Sequence, residues 1–567
     1  MQRNTFMSCA PTARALIMMA AILWSGVAQA NVSLKNGNFF TGFVDLSLPG
    51  GIEPKIERVY NSKSSHDGIF GFGWGSDYEV HLKISADGSV VVYENGGGAQ
   101  NRFSPPTINQ VEIDKAVDNI LAVKTKTGAG LSGAQSKHEK ELLRTDARYR
   151  NDEWEKLFRD GKVKSRQLTE GTVLRSTRFS YQTIAKVKDG YVRRFDNGQV
   201  HTFNNAGKLA RMADKNGNFL NITYNKSGQI SQIQDNLNRR IDFVKYNRDG
   251  KVEIVKTEGK KDCIYTYKGH ALVSVKDADG KTFEYKYSSD ERFNLVEIKF
   301  PDKTSIQIGY YPVDKGETVK WQKERDGSQT EYTYGGDAGA FAMHYWTGTA
   351  SKGPDGKVVT QSKHEYWEKA KADGERYTYK LASEVDGEKT ETVYNECCSL
   401  PLEITRNGEK TSFEYDAKGH VTKKITPSEV TELAYDPKHS KVAKVTKYSK
   451  VSKSKPTWAQ YQYDDKGNLV FAKNSETKGV RIVYDHNGRI KALVDQDKRR
   501  LEFTYNEASR PVEIKDPAVG KITVQYTNSG EIKKVDSSGG RKIALQVTSA
   551  FQNLLDIIRP AGVTLSF

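Results

Sequence analysis

The chain has 567 residues, of which 37% are hydrophobic and 28% are charged, and its net charge is +16 at pH 7. Intrinsic disorder is excluded, because aromatic residues make up 10% of the chain and 29 of them are tyrosine. Abundant Tyr and Gly with few Pro indicate many half-buried strands joined by turns, in several domains or in one repeat array.

The first thirty residues differ from the rest. Arg3 and Arg14 precede the apolar run "ALIMMAAILW", and "AQA" at 28–30 offers small residues for cleavage. We predict a signal peptide at 1–30, because a membrane anchor needs about 20 apolar residues and Ala15–Val27 is shorter. The protein is therefore expected to be exported, to the cell surface, the medium or a periplasm. Losing the two arginines would lower the net charge to +14.

Residues 31–106 form a glycine-rich opening region in which "NGNFFTGFVDLSLPG" and "VHLKISADGSVVVYENGGG" alternate strands with turns. From 107 to 178 the pattern changes to a charged helical insertion. Two helices are predicted there, with apolar faces at Ile113, Val117, Ile120 and Leu121, and at Leu143, Ala147, Trp154 and Phe158.

Ser136 and Glu139 read as the capping box that begins the second helix. The insertion is expected to pack on the sheet, with a docking element for a partner as the alternative.

A repeat of about 21 residues then dominates the chain. An aromatic residue precedes each turn at Phe203, Tyr224, Tyr246, Tyr267 and Tyr287, and again at Tyr463, Tyr484, Tyr505 and Tyr526. These runs define a first array at 179–335 and a second at 376–535. Residues 336–375 are an irregular stretch or an insertion, and 536–567 are a C-terminal cap.

One unit, "YDHNGRIKALVDQDKRRLEFTY" at 484–505, shows how the repeat works. Asp485 bonds to its own backbone and Gly488 accepts positive φ, so the chain turns there, and "DQDK" turns it again. Between the turns, apolar residues alternate as in a strand with one buried face. We predict an all-β fold of tandem antiparallel hairpins in a continuous spiralling sheet. A propeller and a parallel β-helix are the alternatives, and turn signals at both ends of each unit favour hairpins.

The repeat Tyr-Asp/Asn-x-x-Gly-x-aliphatic resembles the YD repeats of the RHS family, which the teneurin cell-surface proteins share. The matching positions are Phe203/Gly207, Tyr224/Gly228, Tyr246/Gly250, Tyr415/Gly419, Tyr463/Gly467, Tyr484/Gly488, Tyr505 and Tyr526/Gly530. The opening region is similar to the segment that precedes the repeats in bacterial members, through Tyr60-Asn61-Ser62 and Phe70-Gly71-x-Gly73-Trp74.

The resemblance implies a sheet that spirals into a hollow shell, which in many bacterial members encloses a C-terminal toxin released by self-cleavage. Here "DPAVG" at 516–520 lies inside a repeat and lacks the extended cleavage motif. The expected function is a non-enzymatic binding scaffold for a glycan, a cell-envelope polymer or a protein. A reduced shell for a separately encoded toxin is the alternative.

We find no pattern for catalysis, a cofactor or a metal, since G-x-S-x-G, H-E-x-x-H and a P-loop are all missing. "DKNGN" at 214–218 and "DADG" at 277–280 are interpreted as turns, and His66 with Asp67 as a surface turn. The vicinal Cys397 and Cys398 are interpreted as unligated or oxidised. Because the basic residues look dispersed along the strands, nucleic-acid binding is not expected.

Overall fold

The computed structural model describes residues 31–538, apart from 51, 96–98, 106, 108, 127–131, 165, 178–181, 290–292, 313–315, 339–341, 397–398, 453, 508 and 527–531, together with residues 540, 543 and 547. The predicted signal peptide, the vicinal cysteines and Gly530 lie outside the described residues. None of the helices within the described part is long and apolar enough to cross a membrane.

The opening region forms a small antiparallel sheet of its own. Strands β1, β2, β3 and β6 pair in that order, and β4 pairs with β5. Burial alternates along β3, so one face of this sheet is apolar. The bounds are β1 (Asn31–Ser33), β2 (Asn38–Ser47), β3 (Lys55–Asn61), β4 (Asp67–Gly68), β5 (Gly71–Phe72) and β6 (Trp74–Ser76), followed by a 3-10 turn (Asp77–Glu79).

A second sheet of 36 strands contains almost everything else. It begins with β7 (His81–Ile84), β8 (Val90–Glu94) and β9 (Ala99–Ser104), and after the helices β10 pairs with β9. From there each strand pairs antiparallel with the next along the chain. The prediction of tandem hairpins in one continuous sheet is therefore confirmed.

The first run of hairpins comprises β10 (Val173–Ser176), β11 (Thr183–Val187), β12 (Gly190–Arg194), β13 (Val200–Asn204), β14 (Leu209–Ala213), β15 (Phe219–Tyr224), β16 (Ile230–Asp235), β17 (Arg240–Tyr246), β18 (Val252–Lys256), β19 (Cys263–Lys268), β20 (Ala271–Lys276), β21 (Thr282–Tyr287), β22 (Leu295–Lys299), β23 (Ser305–Tyr310), β24 (Val319–Lys323) and β25 (Gln329–Gly336).

Longer strands follow where the sequence period is lost. They are β26 (His344–Lys352), β27 (Val358–Ala370) and β28 (Arg376–Val385), and the seven-residue β29 (Glu388–Tyr394) follows them.

The remaining strands return to the short repeat. They are β30 (Pro401–Arg406), β31 (Glu409–Tyr415), β32 (Val421–Ile425), β33 (Glu429–Tyr435), β34 (Val442–Ser449), β35 (Thr457–Tyr463), β36 (Leu469–Asn474), β37 (Gly479–Tyr484), β38 (Ile490–Asp495), β39 (Arg500–Tyr505), β40 (Pro511–Asp516), β41 (Gly520–Tyr526) and β42 (Ile532–Ser537).

Within the described part of the insertion, three helices, not two, interrupt the sheet: α1 (Gln110–Lys126), α2 (Gly133–Thr145) and α3 (Ala147–Arg159). The single second helix of the sequence prediction is wrong, because Asp146 ends α2 and begins α3, its side chain accepting a bond from the Tyr149 N–H. The predicted apolar face is thus shared by two helices, and Phe158 is 44% exposed.

The predicted capping box is also wrong. Ser132 and Gln135 form the box at the start of α2, and Ser136 lies inside the helix. Glu139 instead bonds with Lys124 and with the Tyr149 hydroxyl, which ties the three helices together.

The long sheet comes back into contact with itself. Lys215 Nζ donates to the Gly467 carbonyl at 2.8 Å, and Asn468 Nδ2 donates to Asn216 Oδ1 at 2.9 Å, both across 252 residues. Turns of the first array therefore lie against turns of the second. We call this contact of the 214–218 turn with the turns at 436–441 and 464–468 the seam.

Two lysine side chains crowd the seam. Lys441 is 7% exposed, and its ammonium has no hydrogen-bond partner among the described residues. Burial, together with the neighbouring Lys215, lowers the pKa of Lys441 to about 8, against the opposing attraction of Asp196 and Asp464.

The helices fasten the windings at a second place. Arg150 of α3 is fully buried and donates to Asp87 at 2.9 Å and to the Asp373 carbonyl at 2.7 Å. Arg102 bridges Asp87 and Asp373 from the sheet, and the Ala147 N–H donates to Gly374. The helical insertion therefore joins the start of the sheet to a turn about 270 residues further on.

Candidate functional site

The signature tyrosines form a ladder of hydrogen bonds through the sheet, together with Tyr310, Tyr334 and Tyr435, which the sequence pattern did not single out. Each hydroxyl donates to a backbone carbonyl in the preceding hairpin, at 2.5–3.1 Å. The pairs are Tyr224–Leu209, Tyr246–Ile230, Tyr267–Val252, Tyr287–Leu272, Tyr310–Leu295, Tyr334–Val319, Tyr415–Pro401, Tyr435–Val421, Tyr463–Val442, Tyr484–Leu469, Tyr505–Ile490 and Tyr526–Pro511. Phe203 has no hydroxyl and is fully buried. The tyrosine therefore ties one repeat to the next.

A β-bulge accompanies these aromatic residues with the exception of Tyr334, whose strand pairs with β26 in unbroken register. The register shifts between Thr202 and Phe203, between Val483 and Tyr484, and at the equivalent place in the other repeats. A bulge re-aims the side chain that follows it. The sequence period gave no sign of this extra residue.

The signature glycines lie in the turns. Gly207, Gly228, Gly250, Gly419, Gly467 and Gly488 have φ between 74° and 86°. In the 484–488 turn, Asp485 accepts bonds from the Asn487 and Arg489 N–H groups. Gly207 has a second role, because its carbonyl accepts the Leu82 N–H at 2.9 Å and a Cβ there would lie 2.2 Å from the Leu82 carbonyl oxygen.

The N-terminal motif residues lie where the small sheet packs against the first array. The Tyr60 hydroxyl accepts the Leu295 N–H at 2.9 Å, and Trp74 Nε1 donates to the Tyr287 hydroxyl at 2.8 Å. Phe70 is fully buried against the Tyr265 ring. We call residues 31–80 the plug, because its apolar face and the inner face of the first array form one core.

The other motif residues shape the plug. Gly71 has φ 102° and lies against the His270 carbonyl, and Gly73 has φ 77° and lies against the Tyr60 ring. The Asn61 N–H donates to the Gly73 carbonyl, and the Ser62 hydroxyl accepts the Phe39 N–H. Both glycines therefore stand where a larger residue would meet a neighbour.

An ion pair lies at the centre of the plug contact. Arg58, fully buried, binds Asp45 through Nε at 2.5 Å and Nη2 at 2.8 Å, and Nη2 also donates to the Tyr285 hydroxyl. Its guanidinium lies 4.7 Å from the Trp74 ring centre, and Tyr265 donates to Asp45. Burial by itself lowers the pKa of Arg58, but the adjacent Asp45 carboxylate raises it, and the net pKa lies above the usual value. The arrangement holds the plug against the first array.

Asp67 makes a second polar contact between plug and array. Its carboxylate binds Lys251, and it lies 2.6 Å from His270 Nδ1. His66 pairs with Glu79 at 3.1 Å. Asp67 is exposed, as expected of a surface turn, and its carboxylate also joins the plug to the first array.

The acidic loops at 214–218 and 277–280 are turns, as interpreted from the sequence. Asp214 accepts the Asn216 and Asn218 N–H groups, and Asp277 accepts those of Asp279 and Lys281. Asp516 of "DPAVG" likewise accepts the Ala518 N–H in the turn between β40 and β41. Each of these carboxylates accepts hydrogen bonds from backbone N–H groups of its own turn.

A cation-rich surface covers the outside of the second array. Strand pairing aligns Lys444 with Gln460 and Lys473 in one row, and Phe471 with Arg481, Val494 and Arg500 in the next. These side chains point away from the apolar core that contains Val445, Ala472 and Ile482. We call this surface the outer basic face and define it by Lys444, Trp458, Phe471, Lys473, Arg481, Arg500 and Lys515.

Aromatic rings support two of these cations. Lys473 Nζ lies 5.6 Å from the centre of the Trp458 ring, and the Arg481 guanidinium lies 5.7 Å from that of Phe471. Both rings are half-buried, whereas Lys473 and Arg481 are exposed. The rings therefore hold the charges outward at a cation–π distance.

Sequence reasoning missed this surface, although a signal was present. Between 437 and 463 the chain contains seven lysines and no Asp or Glu. A spacing of three residues sends successive lysines to opposite faces of a strand, so the run did not look like a patch. Counting acidic residues within the window would have found it.

Comparison with known proteins agrees with the repeat geometry. A family model described as "Teneurin YD-shell" matches residues 390–497 and 444–566, and a domain of unknown function, DUF6531, matches 29–103. The "tRNA nuclease WapA" of Bacillus subtilis (strain 168) is 23% identical over 299 residues, which are 51% of this chain and 12% of the relative. The "tRNA(Glu)-specific nuclease WapA" of Bacillus subtilis subsp. natto (strain BEST195) is 31% identical over 117 residues, 19% of this chain and 5% of the relative.

Two solved Tc toxin structures are also similar. The TcdB2-TccC3-TEV crystal structure has 12% identity and a TM-score of 0.36, covering 95% of this chain and 29% of that one. The Tc holotoxin pore of Photorhabdus luminescens has 10% identity and a TM-score of 0.29, covering 86% and 31%. This chain thus spans less than a third of the length of each of these proteins. The laddered tyrosines and the matching family models support placing the chain with the RHS and YD-repeat proteins.

Proposed function

We propose that this protein is an exported, non-enzymatic YD-repeat scaffold that holds a glycan or protein partner on its outer basic face. One observation carries the proposal. Lys444, Lys473, Arg481 and Lys515 are exposed there, and none has a carboxylate partner among the described residues. Exposed cations without counter-charges, set beside aromatic rings, suit a binding surface.

The proposal is tested by retention on cell envelopes. Purified protein is mixed with envelopes at low and high salt, beside the triple variant Lys444→Gln/Lys473→Gln/Arg481→Gln. A matched control, Lys245→Gln/Lys256→Gln/Lys299→Gln, removes as much charge from ion-paired, exposed positions. We expect retention of the natural protein and the control, and loss for the first variant. Equal retention of all three would reject the outer basic face as the binding surface.

Export is tested separately. The protein expressed in a bacterium should be recovered outside the cytoplasm with Asn31 as its first residue, because cleavage is predicted after Ala30. Recovery of the full chain in the cytoplasm would reject export.

A carrier of a separately encoded toxin is the second candidate. The observation in its favour is a hydroxyl-rich stretch on the inner face of β26 and β27. Thr349 Oγ1 lies 2.7 Å from Ser362 Oγ there, and Thr347 donates to the Leu34 carbonyl of the plug. A polar inner face suits a captive polypeptide better than an apolar one. A second protein that co-purifies and resists added protease until the scaffold unfolds would support the carrier.

A further inference from the structure

We propose that the ligand of the outer basic face is a linear acidic polysaccharide that lies across the strands. This inference rests on the proposed function and names the chemical class of its partner. Three features carry it: the run of charges, the four cations among them that have no carboxylate partner, and the groups between them.

The charges run in one direction across the sheet. Lys444 lies on β34, Lys473 on β36, Arg481 on β37, Arg500 on β39 and Lys515 on β40. Since neighbouring strands are about 4.8 Å apart, the outermost two are separated by roughly 29 Å. A track of this length matches an extended polymer rather than a small anion.

Two acidic residues on this face are already engaged in ion pairs. Glu502 pairs with Arg500 at 2.7 Å, and Glu513 pairs with Lys521 at 2.7 Å. The remaining cations thus keep their attraction for an outside anion. The loop after β34 extends the positive field, with Lys450 and Lys455 exposed.

Polar uncharged groups fill the spaces between the cations. Gln460 lies between Lys444 and Lys473, and Gln462 lies beside Phe471. Their amides both donate and accept hydrogen bonds, as sugar hydroxyl groups require.

The same surface is poorly suited to two other polyanions. Single-stranded nucleic acid binds by stacking its bases on free aromatic faces, whereas the Trp458 and Phe471 rings have cations over them. An anionic membrane needs a broad apolar face beside the cations, and the large apolar side chains exposed near the basic loop are Tyr448 and Val451. Acidic glycan fits the charges without requiring either contact.

The test compares defined polymers on the purified full chain by isothermal titration calorimetry. Alginate and dextran sulfate are the acidic glycans, dextran is the neutral one, and poly(U) and phosphatidylglycerol vesicles are the other polyanions. We expect alginate to bind and dextran not to bind. The affinity for alginate should fall steeply as the salt concentration rises. The Lys444/Lys473/Arg481 variant should lose at least tenfold in affinity, and the Lys245/Lys256/Lys299 control less than twofold. Circular dichroism and Tm must show that both variants are folded.

The outcomes separate the two proposals. If the triple variant loses envelope retention while no acidic glycan binds, the outer basic face has a different ligand and this inference is wrong. Tighter binding of poly(U) or of vesicles than of alginate would also overturn it. If neither envelopes nor glycans are retained, the proposed function fails as well.

Discussion

At the residue scale, the hydroxyl of the signature tyrosine explains why the repeat prefers Tyr to Phe. Its ring fills the space beside the bulge, and its hydroxyl reaches a carbonyl in the hairpin before it, as Tyr484 reaches Leu469. Phe203 occupies the equivalent place early in the first array and makes no such bond. A substitution of Tyr by Phe therefore removes the hydrogen bond and leaves the packing of the ring unchanged.

Tyr484→Phe is expected to lower the free energy of unfolding by about 1–3 kcal/mol, because a half-buried carbonyl loses its partner while the ring stays in place. Urea unfolding followed by circular dichroism measures the difference. Phe503→Tyr serves as a control at a neighbouring aromatic position. A loss below about 0.3 kcal/mol for Tyr484→Phe would show that the ladder contributes little.

Alkaline pH should weaken the whole ladder. Burial raises the pKa of Tyr415, Tyr484 and Tyr505 to about 12 from a usual value near 10. The unfolded chain therefore ionises first, so the stability that these groups contribute is complete below pH 10 and is lost as pH rises towards 12. Urea midpoints measured from pH 8 to 11.5 should fall steeply above pH 10. A flat profile would contradict the burial of these hydroxyl groups.

At the element scale, the hairpins could be predicted from the sequence and the helix boundaries could not. The turn signal of Asp485 and Gly488 is local and recurs, so each copy supports the others. The sequence contains two possible capping boxes, one beginning at Ser132 and one at Ser136. They are four residues apart, about one helical turn, so the same apolar face fits a helix that starts at either one. Periodicity cannot choose between them, and packing selects the earlier one.

The helical insertion works as a fastener rather than as a separate domain. Arg150 is buried among Asp87, the Asp373 carbonyl and the Leu143 carbonyl, so it links α3 to two distant parts of the sheet. Its neighbour Arg148 is exposed.

Arg150→Met should cost about 3–5 kcal/mol, because Asp87 would keep only Arg102 as its buried counter-charge. Arg148→Met is the matched control and should change stability by less than about 0.5 kcal/mol. Differential scanning calorimetry compares the two. Equal Tm values for both variants would show that the fastener is dispensable.

At the scale of the whole molecule, the contacts that hold the windings join residues far apart in the chain. Arg58 meets Tyr285 across 227 residues, and Asn468 meets Asn216 across 252. No periodic pattern encodes such pairs, which is why the plug and the seam were not predicted although the repeat was. The outer basic face could be predicted only in part. Its lysines can be read from the sequence, but the sequence pattern did not show that they lie on one side of the sheet.

Lys441→Met should stabilise the protein at pH 7 by removing a buried ammonium beside Lys215. The folded state depresses the pKa of Lys441 to about 8, so the unfolded state binds more protons between that pH and about 10.5. The stability of the natural protein consequently rises with pH across this window, and the advantage of the variant shrinks.

Thermal unfolding of both proteins at pH 7.0, 8.5 and 9.5 measures this trend. Lys444→Met, on the exposed side of the strand that follows Lys441, is the control and should show little pH-dependent difference. A variant less stable than the natural protein at every pH would mean that Lys441 supports the seam.

The position of the plug at the beginning of the chain has a consequence for how the molecule is made. Residues 31–80 leave the ribosome before the strands that surround them, and they carry the apolar surface on which the first array closes. The core surface of the plug is therefore present before the strands that pack on it. Each new hairpin finds a partner edge and a core surface already in place, so the windings can form in the order of synthesis.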